Sequence, residues 1–132
     1  MKMNKAEFKA LRESLGISQA ALARELEVIV RSVSRWENPR EENEPSEFAV
    51  EYLLMLERQS LQVVNFAIDK AYELQEITGS NHVTLPYYYD QLSYDKSHPQ
   101  DPGYYGIANA NTLKIKRSLE EDGFDVQINY PG

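Results

Sequence analysis

The chain has 132 residues, 42% of them hydrophobic and 27% charged, a balance ordinary for a globular protein and one that excludes wholesale disorder. It contains no cysteine, which excludes disulfides and thiolate metal sites and suits a reducing compartment. The formal net charge of −7, taken alone, argues against nucleic acid as a partner.

Length allows one domain, or a small domain with an appended part, and small halves gain stability by dimerising. The opening MKMNKAEFKALRESL is charged throughout, unlike a signal peptide, and no apolar run approaches the roughly 18 residues a bilayer span needs. The sequence therefore predicts a cytoplasmic protein with no membrane contact. The charge is uneven. Residues 1–40 carry eight Lys/Arg against five Glu, a local +3, while the remaining 92 carry six basic and sixteen acidic residues. Such a split is common where one half faces nucleic acid and the other faces solvent or a partner.

Helical spacing appears first in residues 6–15, where Phe8, Leu11 and Leu15 recur with Ala6 and Ala10, and Gly16 supplies a stop. Ser18 is a natural N-cap for a helix over Gln19 to Leu26, with Leu22, Ala23 and Leu26 inward. A third helix is predicted over Val30 to Asn38, with Val33 and Trp36 inward, ended by Pro39. REENE (40–44) reads as a polar link, and Pro45, Ser46 and Glu47 suit the first turn of a new helix.

After Pro45 neither Gly nor Pro occurs until Gly79, and apolar residues return at threes and fours. The pattern fits one long helix or two joined near Gln59-Ser60. Its apolar face is wider than a three-helix head can cover, so much of it should meet the C-terminal segment or another chain. HVTLPYYY (82–89) suits a short strand that Pro86 confines to an edge or an end. DQLSYDKSHPQDPGYYG (90–106) has turn chemistry at its far end. A helix is predicted over 107–122, with Ile107, Ala110 and Leu113, or alternatively Ala108, Thr112 and Ile115, inward beside Leu119, and Gly123 as its cap. FDVQINY (124–130) alternates as a half-buried strand, expected to pair with the first.

The predicted fold is mainly α, α+β overall: an N-terminal helix-turn-helix bundle of four to five helices, a long central helix, and a C-terminal strand-helix-strand dimerisation part. The division is placed at 1–44 and 45–132.

GISQAALARELEVIVRSVSRWENP (16–39) resembles the Cro/Xre, phage-repressor-like type of helix-turn-helix. Gly16, Ser18, Gln19, Leu22, Ala23, Leu26, Val28, Val33, Ser34, Arg35, Trp36 and Glu37 align without a gap. The third helix would then enter the DNA major groove. Arg31 and Arg35, four apart, project from one face, and an arginine fork matches guanine O6 and N7. Val30 and Ser32 could add a thymine-methyl or phosphate contact. By resemblance, Gln19, Asn38 and Arg40 would hold phosphates, which set register while base contacts specify. The sequence departs from the family at two places. Glu27 stands where the turn usually has Gly, and Ile29 where the third helix usually has a Ser or Thr cap. Each departure costs about 1 kcal/mol. The turn is therefore open to being rebuilt, which bears on the tilt of the third helix but not on its existence.

More loosely, WENPREENEP, Ala67-Ile68-Asp69-Lys70 and TLPYYYDQLSYD are similar to small regulators of the anti-CRISPR-associated kind and their uncharacterised bacterial relatives. That likeness implies a homodimer repressing a promoter, often its own. Two heads on a two-fold axis would read an inverted repeat in double-stranded DNA. The alternatives are an antitoxin-type regulator that neutralises a toxin or other protein partner through its acidic half, and a regulator that also binds RNA on its tyrosines. Strand, core and interface packing is the favoured account of those tyrosines. No phosphate loop or catalytic motif appears, and His82 and His98 are far apart in loop-like contexts. A two-His metal site with Asp90, Asp95 or Asp101 is the less favoured reading of these residues. No catalytic residue, metal or cofactor is assigned, and the chain is read as a non-enzyme.

Overall fold

A computed structural model describes residues 2–131; Met1 and Gly132, which the 1–44 and 45–132 ranges include, lie outside the described residues. The described residues hold six helices and two strands: α1 (Lys5–Leu15), α2 (Gln19–Leu26), α3 (Val30–Glu37), α4 (Glu47–Thr78), β1 (His82–Pro86), α5 (Gln91–Ser97), α6 (Tyr105–Glu121) and β2 (Asp125–Asn129). They form two compact units that divide inside α4, after Arg58.

In the first unit each short helix carries its own start signal. Asn4 caps α1 in a reciprocal box: its side chain accepts from the Glu7 amide at 2.8 Å, and the Glu7 carboxylate accepts from the Asn4 amide at 3.0 Å. Gly16, at φ 83°, closes α1, a left-handed conformation that suits a residue without a Cβ. Ser18 caps α2 by accepting from the Ala21 amide at 3.0 Å. Phe8, Leu15, Leu22, Val33, Val50 and Leu53 are fully buried side chains in this core. Trp36 wedges among them, edge-on to Phe8 at 5.9 Å and to Phe48 at 6.2 Å between ring centroids.

The turn between α2 and α3 keeps a left-handed form despite its sequence. Glu27 sits at φ 57°, ψ 41°, the single non-glycine residue with positive φ among the described residues. Its amide bonds back to the last turn of α2, so the left-handed conformation is adopted at a cost rather than avoided. Ile29 occupies the N-cap of α3, where no side chain caps the helix.

In the second unit α4 proves to be one continuous helix through Gln59-Ser60. β1 and β2 pair in parallel, with His82 opposite Asp125 and Pro86 opposite Asn129. A parallel pair requires a crossover, which α5 and α6 provide. Pro86 ends its strand, as a residue without an amide donor must. Ala71, Ile115, Leu119, Phe124 and Val126 form the core, with Val64, Ala67, Ile68, Val83 and Leu85 packed around it. On α6 the inward set is Thr112, Ile115 and Leu119, the second of the two phases read from the sequence, whereas Leu113 is exposed.

Two buried asparagines on α6 were not anticipated. Asn109 replaces a missing ladder beyond β1: its Oδ1 accepts from the Tyr88 amide at 2.8 Å and its Nδ2 donates to the Tyr88 carbonyl at 2.9 Å. Thr112 adds a bond to the Pro86 carbonyl at 2.9 Å. α5 was also missed. Asp90 and Ser93 form a capping box at its start, and His98 at its end stacks on Tyr94 with centroids 4.2 Å apart. Burial pushes the phenols of Tyr88 and Tyr94 above their usual pKa. His82 is not in a loop: it opens β1 and faces Asp125 at 3.2 Å.

Replacing Glu27 with Gly should raise stability by about 1 kcal/mol, because the left-handed strain is removed. Urea unfolding should show a higher midpoint at an unchanged slope.

Candidate nucleic-acid interface

The position of α3 is fixed by a buried polar network. Arg12 lies on α1 between Phe8 and Leu15, in the middle of the buried face. Its Nε donates to Glu37 Oε2 at 2.6 Å and its Nη2 to Glu37 Oε1 at 3.0 Å, a two-pronged pair with both residues 7% exposed. Nη1 donates to the Ile17 carbonyl at 2.9 Å. Gln19 Nε2 adds a bond to Glu37 Oε1 at 3.0 Å. One carboxylate on α3 is thus held by α1 and by the first residue of α2.

With Val33, Trp36 and Glu37 buried, the helical period turns Arg31 and Arg35 to the opposite side, about 180° away. Arg31 is exposed and Arg35 half-buried, with its Nε shielded and without a hydrogen-bond partner. Four residues separate them, a rise of about 6 Å, less than two base-pair steps. Val30 is 45% exposed at the first turn, and Ser32 is half-buried on the flank. Lys5 reaches the C-terminal end of α3, donating to the Arg35 carbonyl at 2.7 Å and to the Asn43 carbonyl. Its charge meets the negative pole of the α3 dipole and ties down the link that follows.

The three residues assigned to phosphates gather at that same end. Gln19 reaches it through Glu37; Asn38 and Arg40 follow it directly. The Asn38 side-chain oxygen accepts from the Arg40 amide at 2.9 Å, a local turn that sends the exposed Arg40 away from the helix. Gln19 has one amide hydrogen committed to Glu37 and a second left over.

Residues 8–49 match a family model described as Helix-turn-helix. The head is a Cro/C1-type helix-turn-helix domain. A domain of this kind makes the protein a DNA-binding transcriptional regulator in general terms. No curated protein matches the chain.

Sequence reasoning found Glu37 as part of the motif but gave it no role, and counted Arg12 only as a charge. A signal was present: Arg12 is four residues after Phe8 and three before Leu15, which places a charge on the apolar face. Elsewhere, Asp95, His98, Pro99, Gln100 and Pro102 line an open hollow of about 360 Å³. No group of three or more His, Asp or Glu among the described residues is arranged to hold a metal, and no helix among them is long and apolar enough to cross a membrane.

Arg12→Ala should cost about 3–5 kcal/mol, since it strands a buried carboxylate. The double replacement Arg12→Leu with Glu37→Leu should recover most of such a loss, and denaturant titration of the wild type, the two single Leu variants and the double variant would read this as strong coupling.

Proposed function

We propose that the chain is a homodimeric repressor that reads an inverted repeat through the major groove, occluding a promoter, its own in the autoregulatory case. The observation that carries this reading is the outward face of α3: Arg31 and Arg35 project one helical turn apart from a helix whose other side is fixed to the head by Glu37. In this reading Arg31 and Arg35 contact guanine edges, and Val30 and Ser32 contact a thymine methyl or a phosphate at the start of the helix. Gln19, through its remaining amide hydrogen, contacts the backbone with Asn38 and Arg40 and sets the register. One head covers only a few base pairs, so a two-fold pair of heads is what lengthens the site.

The RNA-binding alternative draws less support. Tyr88 and Tyr94, central to the tyrosine cluster, are buried against each other at 5.0 Å and offer no open stacking platform. A toxin or other partner on the acidic half would appear as a co-purifying protein.

The deciding experiment is selection of bound duplexes from a random pool. Enrichment of an inverted repeat with guanine in each half-site is expected, and a pool that stays random would overturn the reading. On the selected site Arg31→Ala and Arg35→Ala should each lose about 1–3 kcal/mol, with little loss on random DNA. Arg40→Ala should weaken binding to every sequence and lower the salt slope by about one. Filter binding or fluorescence anisotropy across a salt series separates the two behaviours.

A further inference from the structure

In its second-unit portion α4 buries one face and leaves another uncovered. Ala71, with Val64, Ala67 and Ile68, packs inward. Val63 (52%), Phe66 (67%), Leu74 (54%) and Ile77 (72%) remain exposed. At 100° per residue these four and Lys70 fall within an arc of about 80°, along a stripe about 21 Å long. Lys70 extends over the Phe66 ring, 5.9 Å from its centroid, and pairs with Glu73 at 3.8 Å. The four side chains present on the order of 400 Å² per copy, in the range of the largest apolar patch a monomer normally shows, a patch often functional.

The spacing of the stripe identifies its occupant. Val63 and Ile77 lie seven residues on either side of Lys70, and Phe66 and Leu74 four on either side. A second α4 laid antiparallel, with a two-fold axis at Lys70, sets Val63 against Ile77, Phe66 against Leu74 and Lys70 against Lys70, with the partner's Glu73 one turn away to offset the paired charges. A foreign helix would need no such symmetry, whereas a two-fold interface must be self-complementary. We infer that this stripe is the interface between two copies of the chain, paired antiparallel about Lys70. The inference rests on the homodimer reading above and assigns its contact surface. A stable interface takes about 800 Å² per partner, so the stripe supplies the apolar part of the contact, with the two Lys70 side chains meeting at its centre, where a single polar pair specifies register, and Glu73 beside them.

The chain has no cysteine, so one introduced thiol reports on one position. Packed helices 8–10 Å apart bring facing Cα atoms within disulfide reach. Lys70→Cys should therefore oxidise to a linked dimer at least tenfold faster than Asn65→Cys, an exposed position about 140° around the helix. In sedimentation equilibrium of the full chain, the wild type should run at twice the chain mass. Phe66→Glu and Leu74→Glu, both at exposed positions, should run as monomers with unchanged helical circular dichroism and unchanged affinity for a single half-site. Dimers that persist in both Glu variants, or Lys70→Cys linking no faster than Asn65→Cys, would overturn this interface while leaving the homodimer reading intact. A wild type that stays monomeric at tens of micromolar would overturn both.

Discussion

Everything the head presents to its surroundings depends on the Arg12–Glu37 pair. A buried ion pair is a poor source of net stability, because two desolvated charges recover in mutual attraction little more than they lose in hydration. Its effect is geometric. A carboxylate near the end of α3 has one place to go, the fork of Arg12, and that fork is itself held by the Ile17 carbonyl. Shifting the register of α3 by one residue would carry the carboxylate about 100° around the helix and out of reach of the fork. The pair thereby sets which face of α3 looks outward. The apolar contacts of Val33 and Trp36 alone would tolerate more rotation, since dispersion is not directional.

The turn before α3 stores two local costs within three residues, the left-handed Glu27 and the uncapped Ile29. Neither is relieved by rebuilding the turn. α2 and α3 are each pinned from the far side, α2 by Ser18 and Gln19 at its start and α3 by Glu37 at its end. The geometry of the connection is then imposed by its ends, and the three residues between them accept the conformation that remains. Tertiary constraint overrides local preference here, and the energy involved is small beside the burial of Phe8, Leu22, Val33 and Trp36.

The legibility of this fold follows the same division. Helices with a cap, an apolar period and a glycine stop were readable in order: Ser18 opened α2, Gly16 and Gly123 closed their helices, and Pro86 marked the end of a strand. The inward face of α3 followed from period alone, whereas for α6 the period left two phases open and the packing selected the one through Thr112 and Ile115. α5 escaped because seven residues are too few to show a period, and its capping box, Asp90 with Ser93, lacks the usual Glu or Gln. Asn109 escaped because a buried amide has no periodic signature; it is needed only once Tyr88 lies beyond the ladder and its backbone groups require partners. In the head the same blindness applied to Arg12 and Glu37, whose pairing spans 25 residues and is invisible to any window. The outward-turned arginines of α3, Arg31 exposed and Arg35 half-buried, were legible in position, since their orientation follows from the buried set.

Net charge adds a constraint that the contacts must satisfy. Non-specific affinity for DNA comes almost entirely from neutralised phosphates, and a chain of net −7 with a local surplus of only +3 over its first forty residues has little of it to offer. In a strongly basic protein a lost base contact is masked by the electrostatic remainder. Here the remainder is small, so in the proposed reading discrimination between sites would have to come from the few side chains of α3 assigned to the bases and from a pairing of heads. That reading would place a premium on an exact orientation of α3, because an arginine fork displaced by an ångström or two would forfeit both hydrogen bonds to a guanine at once. An acidic regulator of this size could accept weak adhesion to DNA at large only if the helix proposed to read sequence were held rigidly, and a desolvated carboxylate clamped by an arginine and a glutamine is a suitable means of holding α3.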